Sequence, residues 1–112
     1  MTDARDIARN AAKRLAPQLG KDLPLTVEKV IHGAAEPGQF ADLSILPVAT
    51  FVLACAQFIY TMHKDSLKKP DAEAQKRVLR LEVKLPEGMS AKTRDAIISA
   101  IVEEAEKPND KA

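Results

Sequence analysis

The single cysteine and the two histidines are the first residues to consider for chemistry, because thiolates and imidazoles act as nucleophiles, bases and metal ligands. Cys55 lies in the middle of an apolar segment, and His63 follows it about two helical turns later. A buried structural thiol is therefore the favoured interpretation of Cys55. His32, His63 and one cysteine at these separations do not match a zinc-binding pattern. We predict no catalytic residue and no metal ligand.

Acidic residues could supply paired carboxylates for acid and base catalysis, and they occur close together in two places. Asp71 and Glu73 form one group, and Glu103, Glu104 and Glu106 form the other. Exposed acidic faces of helices are the usual cause of such groups. The sequence also contains no Gly-x-Ser-x-Gly, His-Glu-x-x-His, Cys-x-x-Cys or Walker motif. These observations predict a protein that is not an enzyme and uses no cofactor.

The charge balance restricts the partners that the chain can bind. Its 112 residues include 17 Lys and Arg against 16 Asp and Glu, and this net charge of +1 lacks the surplus that phosphate binding requires. With no Trp, one Tyr and three Phe, the sequence also has few side chains for base stacking. Both features argue against nucleic acid. Because so short a chain buries a small share of its surface, we expect self-association, a larger protein partner or a membrane to stabilise it.

Residues 1–42 are predicted to form an N-terminal helical segment and a loop. Thr2 or Asp3 can cap a first helix that runs to about Leu15, before Pro17. A second helix is predicted from Leu23 to near Gly33, although an extended strand over residues 25–31 is the alternative. The acidic start of the chain has no apolar stretch typical of a signal peptide, so a cytosolic origin is expected.

An apolar helix over residues 43–63 is the strongest feature of the sequence. Residues 43–62 carry no charge and, as one helix, would extend about 30 Å, enough to cross a membrane. Thr50 and Gln57 recur near helical spacing and mark a smaller, more polar face. In a membrane this face would pack against another helix, whereas in a soluble domain it would turn towards water. The periodicity leaves both interpretations open.

The residues that follow the apolar helix decide how it would be oriented in a membrane. Residues 64–76 are predicted to form a polar connector. Its lysines and the residue that follows it form a basic cluster: Lys64, Lys68, Lys69, Lys76 and Arg77. Positive residues favour the cytoplasmic side of a membrane, so an inserted helix would leave the C-terminus in the cytoplasm. If the helix instead forms a soluble core, a cytoplasmic protein is expected.

Residues 77–106 are predicted to form a strand and helix unit, followed by a polar tail over residues 107–112. Apolar side chains alternate with charged ones over residues 77–85, a pattern typical of a half-buried strand. Residues 91–106 predict an amphipathic helix whose apolar face, with Ile97 and Ile101, covers the strand. The fold class predicted is therefore α+β, mainly helical.

A single strand needs a partner, and this requirement leads to the functional hypotheses. Antiparallel self-pairing about Leu81 would place Arg80 opposite Glu82 and produce a homodimer. The alternative partners are residues 25–31 of the same chain and a strand of another protein. We therefore hypothesise a small non-enzymatic interaction or anchoring module, such as an accessory subunit held at a membrane by one apolar helix. The alternative is a soluble homodimeric α+β domain. The residues predicted to mediate association are Thr50, Gln57, Arg80, Leu81, Glu82, Ile97 and Ile101.

Overall fold

A computed structural model describes residues 3–33, 45–65, 71–86 and 88–106 of the chain. These residues form five helices and no strand: α1 (Ala4–Leu19), α2 (Leu23–Ile31), α3 (Leu46–Asp65), α4 (Ala72–Glu82) and α5 (Ala91–Glu106). The predicted loop after residue 33, the middle of the connector at residues 66–70 and the tail at 107–112 lie outside the described residues.

Local capping interactions define where α1 and α5 begin. Asp3 accepts a hydrogen bond from the backbone N–H of Asp6 at 3.0 Å, and Ser90 accepts one from the backbone N–H of Thr93 at 3.1 Å. Each bond satisfies a donor that the first turn of a helix otherwise leaves open. Pro17 does not end α1, contrary to the sequence prediction, because the helix continues to Leu19 with the proline in its last turn.

The core lies where α1, α3 and α5 pack together. The helix α3 contacts each of the other four helices, and α5 contacts α1, α3 and α4. Large side chains fill this core without exposure, among them Phe51, Ile59, Ile97, Ile98 and Ile101. The packing explains why α5 is apolar on most of its circumference, since it is covered on three sides.

The predicted α+β class is wrong, because residues 77–82 continue α4 and do not form a strand. Asp71 caps this helix by accepting a hydrogen bond from the backbone N–H of Ala74 at 2.8 Å. In a helix Leu79 points into the core at 0% exposure while Leu81 is 76% exposed, whereas a strand would place both on one face. The predicted self-pairing about Leu81 is therefore lost together with the strand.

Among the described residues, three arginines form ion pairs that connect neighbouring helices at the surface. Arg9 of α1 contacts Glu28 of α2 at 2.5 Å, and Arg80 of α4 contacts Asp95 of α5 at 3.2 Å. Arg14 of α1 contacts both Glu103 and Glu104 of α5. Glu104 is buried, although the sequence predicts that it faces outward, and its Oε2 atom lies 3.3 Å from the Arg14 guanidinium. Because these pairs are mostly exposed, they contribute more to helix orientation than to stability.

Candidate functional site

The helix α3 presents two faces with different surroundings. Its inward face is packed against the other helices through a series of buried residues: Ile45 just before the helix, then Ala49, Phe51, Val52, Cys55, Ala56 and Ile59. We call the opposite side the outward face and define it by Pro47, Thr50, Gln57 and Thr61, which are exposed, together with the half-buried Ala54. Only the inward face of α3 therefore contributes to the core.

Thr50 and Gln57 both lie on the outward face of α3. They are seven residues apart, so they occupy the same face two turns from each other, and both are exposed. No charged residue occurs between Leu46 and Met62. An exposed helix face in a globular protein usually carries charges, so a neutral outward face four turns long is unusual.

An apolar groove of about 500 Å³ borders the outward face on the side of α4. The helices α3 and α4 run antiparallel, since His63 lies 2.7 Å from Gln75 at one end, and the start of α3 adjoins the end of α4 at the other. This groove, the α3–α4 groove, is lined by the following residues: Leu46, Pro47, Thr50, Phe51, Ala54, Val83, Lys84 and Pro86. Lys84 is the one ionisable side chain among them. The arrangement can bind an apolar ligand beside a positive charge.

No family model, curated protein or solved structure matches this chain.

The other predicted association residues separate into surface and core positions. Leu81 is 76% exposed on α4, and Glu82 is exposed beside it at the end of that helix. Arg80 is exposed and donates a hydrogen bond from Nε to Asp95 at 3.2 Å. Ile97 and Ile101 have no exposed surface. The structure thus places Ile97 and Ile101 in the core of a single chain, where they cannot contact a partner without unfolding.

Exposed cations lie at both ends of the outward face of α3. Lys84 lines the groove near the start of α3, whereas Arg77 lies with the exposed Leu81 on the side of α4 that points away from the buried Leu79. Lys64 is exposed and follows Thr61 and Gln57 at helical spacing, so it marks the far end of the outward face. Within the described part of the chain, none of these three cations takes part in a hydrogen bond or ion pair.

A chain of part-buried polar contacts connects α3, α4 and α5 at the end of the helices opposite the groove. His63 Nε2 lies 2.7 Å from Gln75 Oε1, and Gln75 Nε2 donates to Glu106 Oε1 at 3.1 Å. Gln75 has no exposed surface, so these hydrogen bonds offset the cost of removing its amide from water. Sequence reasoning missed this contact because the three residues come from three different elements.

The described residues offer little support for a reactive nucleophile or a metal site. Burial raises the pKa of the Cys55 thiol to about 12, so the thiolate is scarce at neutral pH. Within the described ranges, no group of three or more His, Cys, Asp or Glu side chains is arranged to hold a metal ion. The hydrogen bond from Arg9 lowers the pKa of Glu28, and hydrogen bonds from Arg94 and Arg80 lower the pKa of Asp95. Both carboxylates belong to surface ion pairs between helices.

Proposed function

We propose that this protein is a small interaction module whose binding surface consists of the outward face of α3 and the α3–α4 groove. The observation that carries the proposal is the combination of a packed inward face with an uncharged, exposed outward face on the same helix. A partner that covers the outward face would explain why four helical turns at the surface carry no charge. Non-enzymatic binding is consistent with the absence of a catalytic motif in the sequence.

The packing of α3 supports its role as a core helix. If α3 left the bundle to enter a bilayer, the apolar faces of α1, α2 and α5 would be exposed to water. Buried side chains on those faces include Ile7, Leu23, Val27 and Ile101. Each such side chain is worth about 1.5–3 kcal/mol when it is removed from water. The cost of exposing several of them is comparable to the entire stability of a domain of this size, about 5–15 kcal/mol.

Membrane anchoring through α3 is the second candidate function, and the composition of that helix favours it. A 19-residue stretch, Leu46–Lys64, is long and apolar enough to cross a membrane, with a mean hydropathy of 1.4. A third of the residues in that stretch are buried inside the bundle. Extraction of cell membranes with carbonate distinguishes the candidates, because an inserted helix stays with the membrane whereas a helical bundle is released into the supernatant.

Photo-crosslinking in the cells that produce the protein tests the interaction surface directly. A photoreactive amino acid replaces Thr50 in one variant and Lys13 in the control, since both positions are exposed on helices. We expect a discrete protein adduct from position 50 that is absent from position 13. A second variant carrying the photoreactive group at Gln57 should give the same adduct. Equal labelling at positions 13, 50 and 57, or labelling of lipid alone, would contradict the proposal.

A further inference from the structure

The chemistry of the partner can be inferred from the charges that border the proposed surface, and this inference rests on the function proposed above. The outward face of α3 is neutral, and the groove beside it is apolar. Two exposed cations, Lys64 and Lys84, lie at its ends without an ion pair among the described residues. Among the described residues, Glu82 is the acid next to the groove residue Val83, so two cations border the surface against one acid.

We propose that the outward face of α3 and the α3–α4 groove bind an amphipathic helix of a partner protein that carries acidic side chains beside its apolar stripe. The apolar stripe would occupy the groove over Ala54 and Phe51. Carboxylates on its flanks would lie opposite Lys64 at one end and Lys84 at the other. Binding of a helix in a groove is a common way to recognise apolar side chains at i, i+3, i+4 and i+7.

A second copy of this chain fits the surface poorly because of the same charges. If two copies paired through α3 in antiparallel orientation, Lys64 of each copy would approach Lys84 of the other. If the two α3 helices ran parallel about a two-fold axis, each cation would meet its own equivalent. Both arrangements place like charges together at the border, and such contacts disfavour association. An acidic partner removes the repulsion and adds attraction.

A lipid surface fits poorly for a different reason. Helices that lie on membranes present bulky apolar side chains such as Leu, Phe and Trp to the acyl chains. The centre of the outward face is formed by Thr50, Ala54, Gln57 and Thr61, which are small or polar. Small side chains instead allow another helix to approach closely, at interaxial distances near the short end of the usual range. The groove is concave, so it can accommodate a helix better than a flat membrane surface.

Two designed peptides test the inference with the intact protein. Both form amphipathic helices with the same leucine stripe, and they differ only in carrying Glu or Lys on the flanks. Fluorescence anisotropy should show the Glu peptide binding at least about fivefold more tightly than the Lys peptide, with the preference reduced by added salt. The double variant K64E and K84E should reverse the order, because it replaces the border cations by acids.

Matched controls separate charge at this surface from charge in general. The double variant R5E and K13E makes the same change in net charge at exposed positions of α1, and it should retain the preference for the Glu peptide. A third variant, T50W, fills the groove from an exposed position and should weaken both peptides about tenfold or more while the circular dichroism spectrum stays unchanged.

The outcomes that overturn the inference are distinct from one another. Equal affinity for both peptides, with T50W blocking both, would contradict the acidic partner but leave the interaction surface intact. Failure of both peptides to bind would contradict the inference and the proposed function together. Stronger binding to vesicles of phosphatidylcholine and phosphatidylglycerol than to either peptide would identify a lipid surface instead. A dimer in sedimentation experiments that T50W dissociates would identify a second copy of the chain.

Discussion

Replacing Leu79 and Leu81 separately by alanine gives a direct test of α4, because the two positions differ only in where the helix points them. Leu79 has no exposed surface, whereas Leu81 is 76% exposed. Removing a fully buried leucine side chain costs its transfer free energy plus a cavity term, about 2–5 kcal/mol in total. Leu79→Ala should therefore lower the free energy of unfolding by about 3 kcal/mol, towards the middle of that range. Leu81→Ala should change it by less than about 0.5 kcal/mol.

Urea unfolding followed by circular dichroism measures both variants under the same conditions. A loss of about 3 kcal/mol would move the midpoint by about 1–3 M urea, since slopes for small domains are about 1–3 kcal/mol per M. Both substitutions remove the same atoms and leave helix propensity almost unchanged, so each serves as the other's control. A similar loss of stability in both variants would refute the helical assignment, because only an alternating strand puts both leucines on one covered face.

Three further predictions concern buried and paired groups. Cys55 should react with a thiol reagent at pH 8 at least about a hundredfold more slowly in the native protein than in urea, because burial raises the pKa of its thiol to about 12. Gln75→Leu should lower the free energy of unfolding by about 1–3 kcal/mol, measured in urea, since it removes the buried contact with His63. Glu28→Gln should reduce the loss of stability between about pH 5 and pH 3. Arg9 lowers the pKa of Glu28, so its contribution is present above that range and is lost as pH falls through the folded pKa.

The helices whose ends carry local signals could be predicted from the sequence. Asp3 and Ser90 each precede a run with helical apolar spacing, and each caps its helix through its own side chain. Such signals lie within a few residues of the element that they define, so no tertiary information is required. Pro17 misled the prediction because α1 continues for two residues beyond it, to Leu19, with the proline in the last turn.

The predicted strand failed because one stretch satisfies two periodicities. Leu79, Leu81 and Val83 alternate as in a strand, but Gln75, Leu79 and Val83 also share one helical face. Two local features favour the helix: the Asp71 cap, and a composition rich in Ala, Gln, Lys, Arg and Leu, which are good helix formers. As a helix, this stretch exposes Leu81 to water. As a strand, it would have had no neighbouring strand to pair with, and a single strand is not stable alone.

The candidate site contains parts that the sequence could indicate and parts that it could not. Thr50 and Gln57 are visible in the sequence as polar residues at helical spacing in an apolar run, and the structure places both on the outward face. Val83, Lys84 and Pro86 gave no such signal, because the groove forms only when α4 packs antiparallel to α3. The buried contact between His63 and Gln75 likewise depends on tertiary packing.

The two faces of α3 differ in composition for different physical reasons. A helix that contacts four others must be apolar on its inward side, and this packing accounts for Phe51, Val52 and Ile59. Packing does not account for Thr50, Gln57 and Thr61, since lysine or glutamate at these exposed positions would cost the fold little. Charges are absent from these positions and present at the borders, as Lys64 and Lys84. That distribution is typical of a surface that another molecule covers, with a neutral centre and a charged rim.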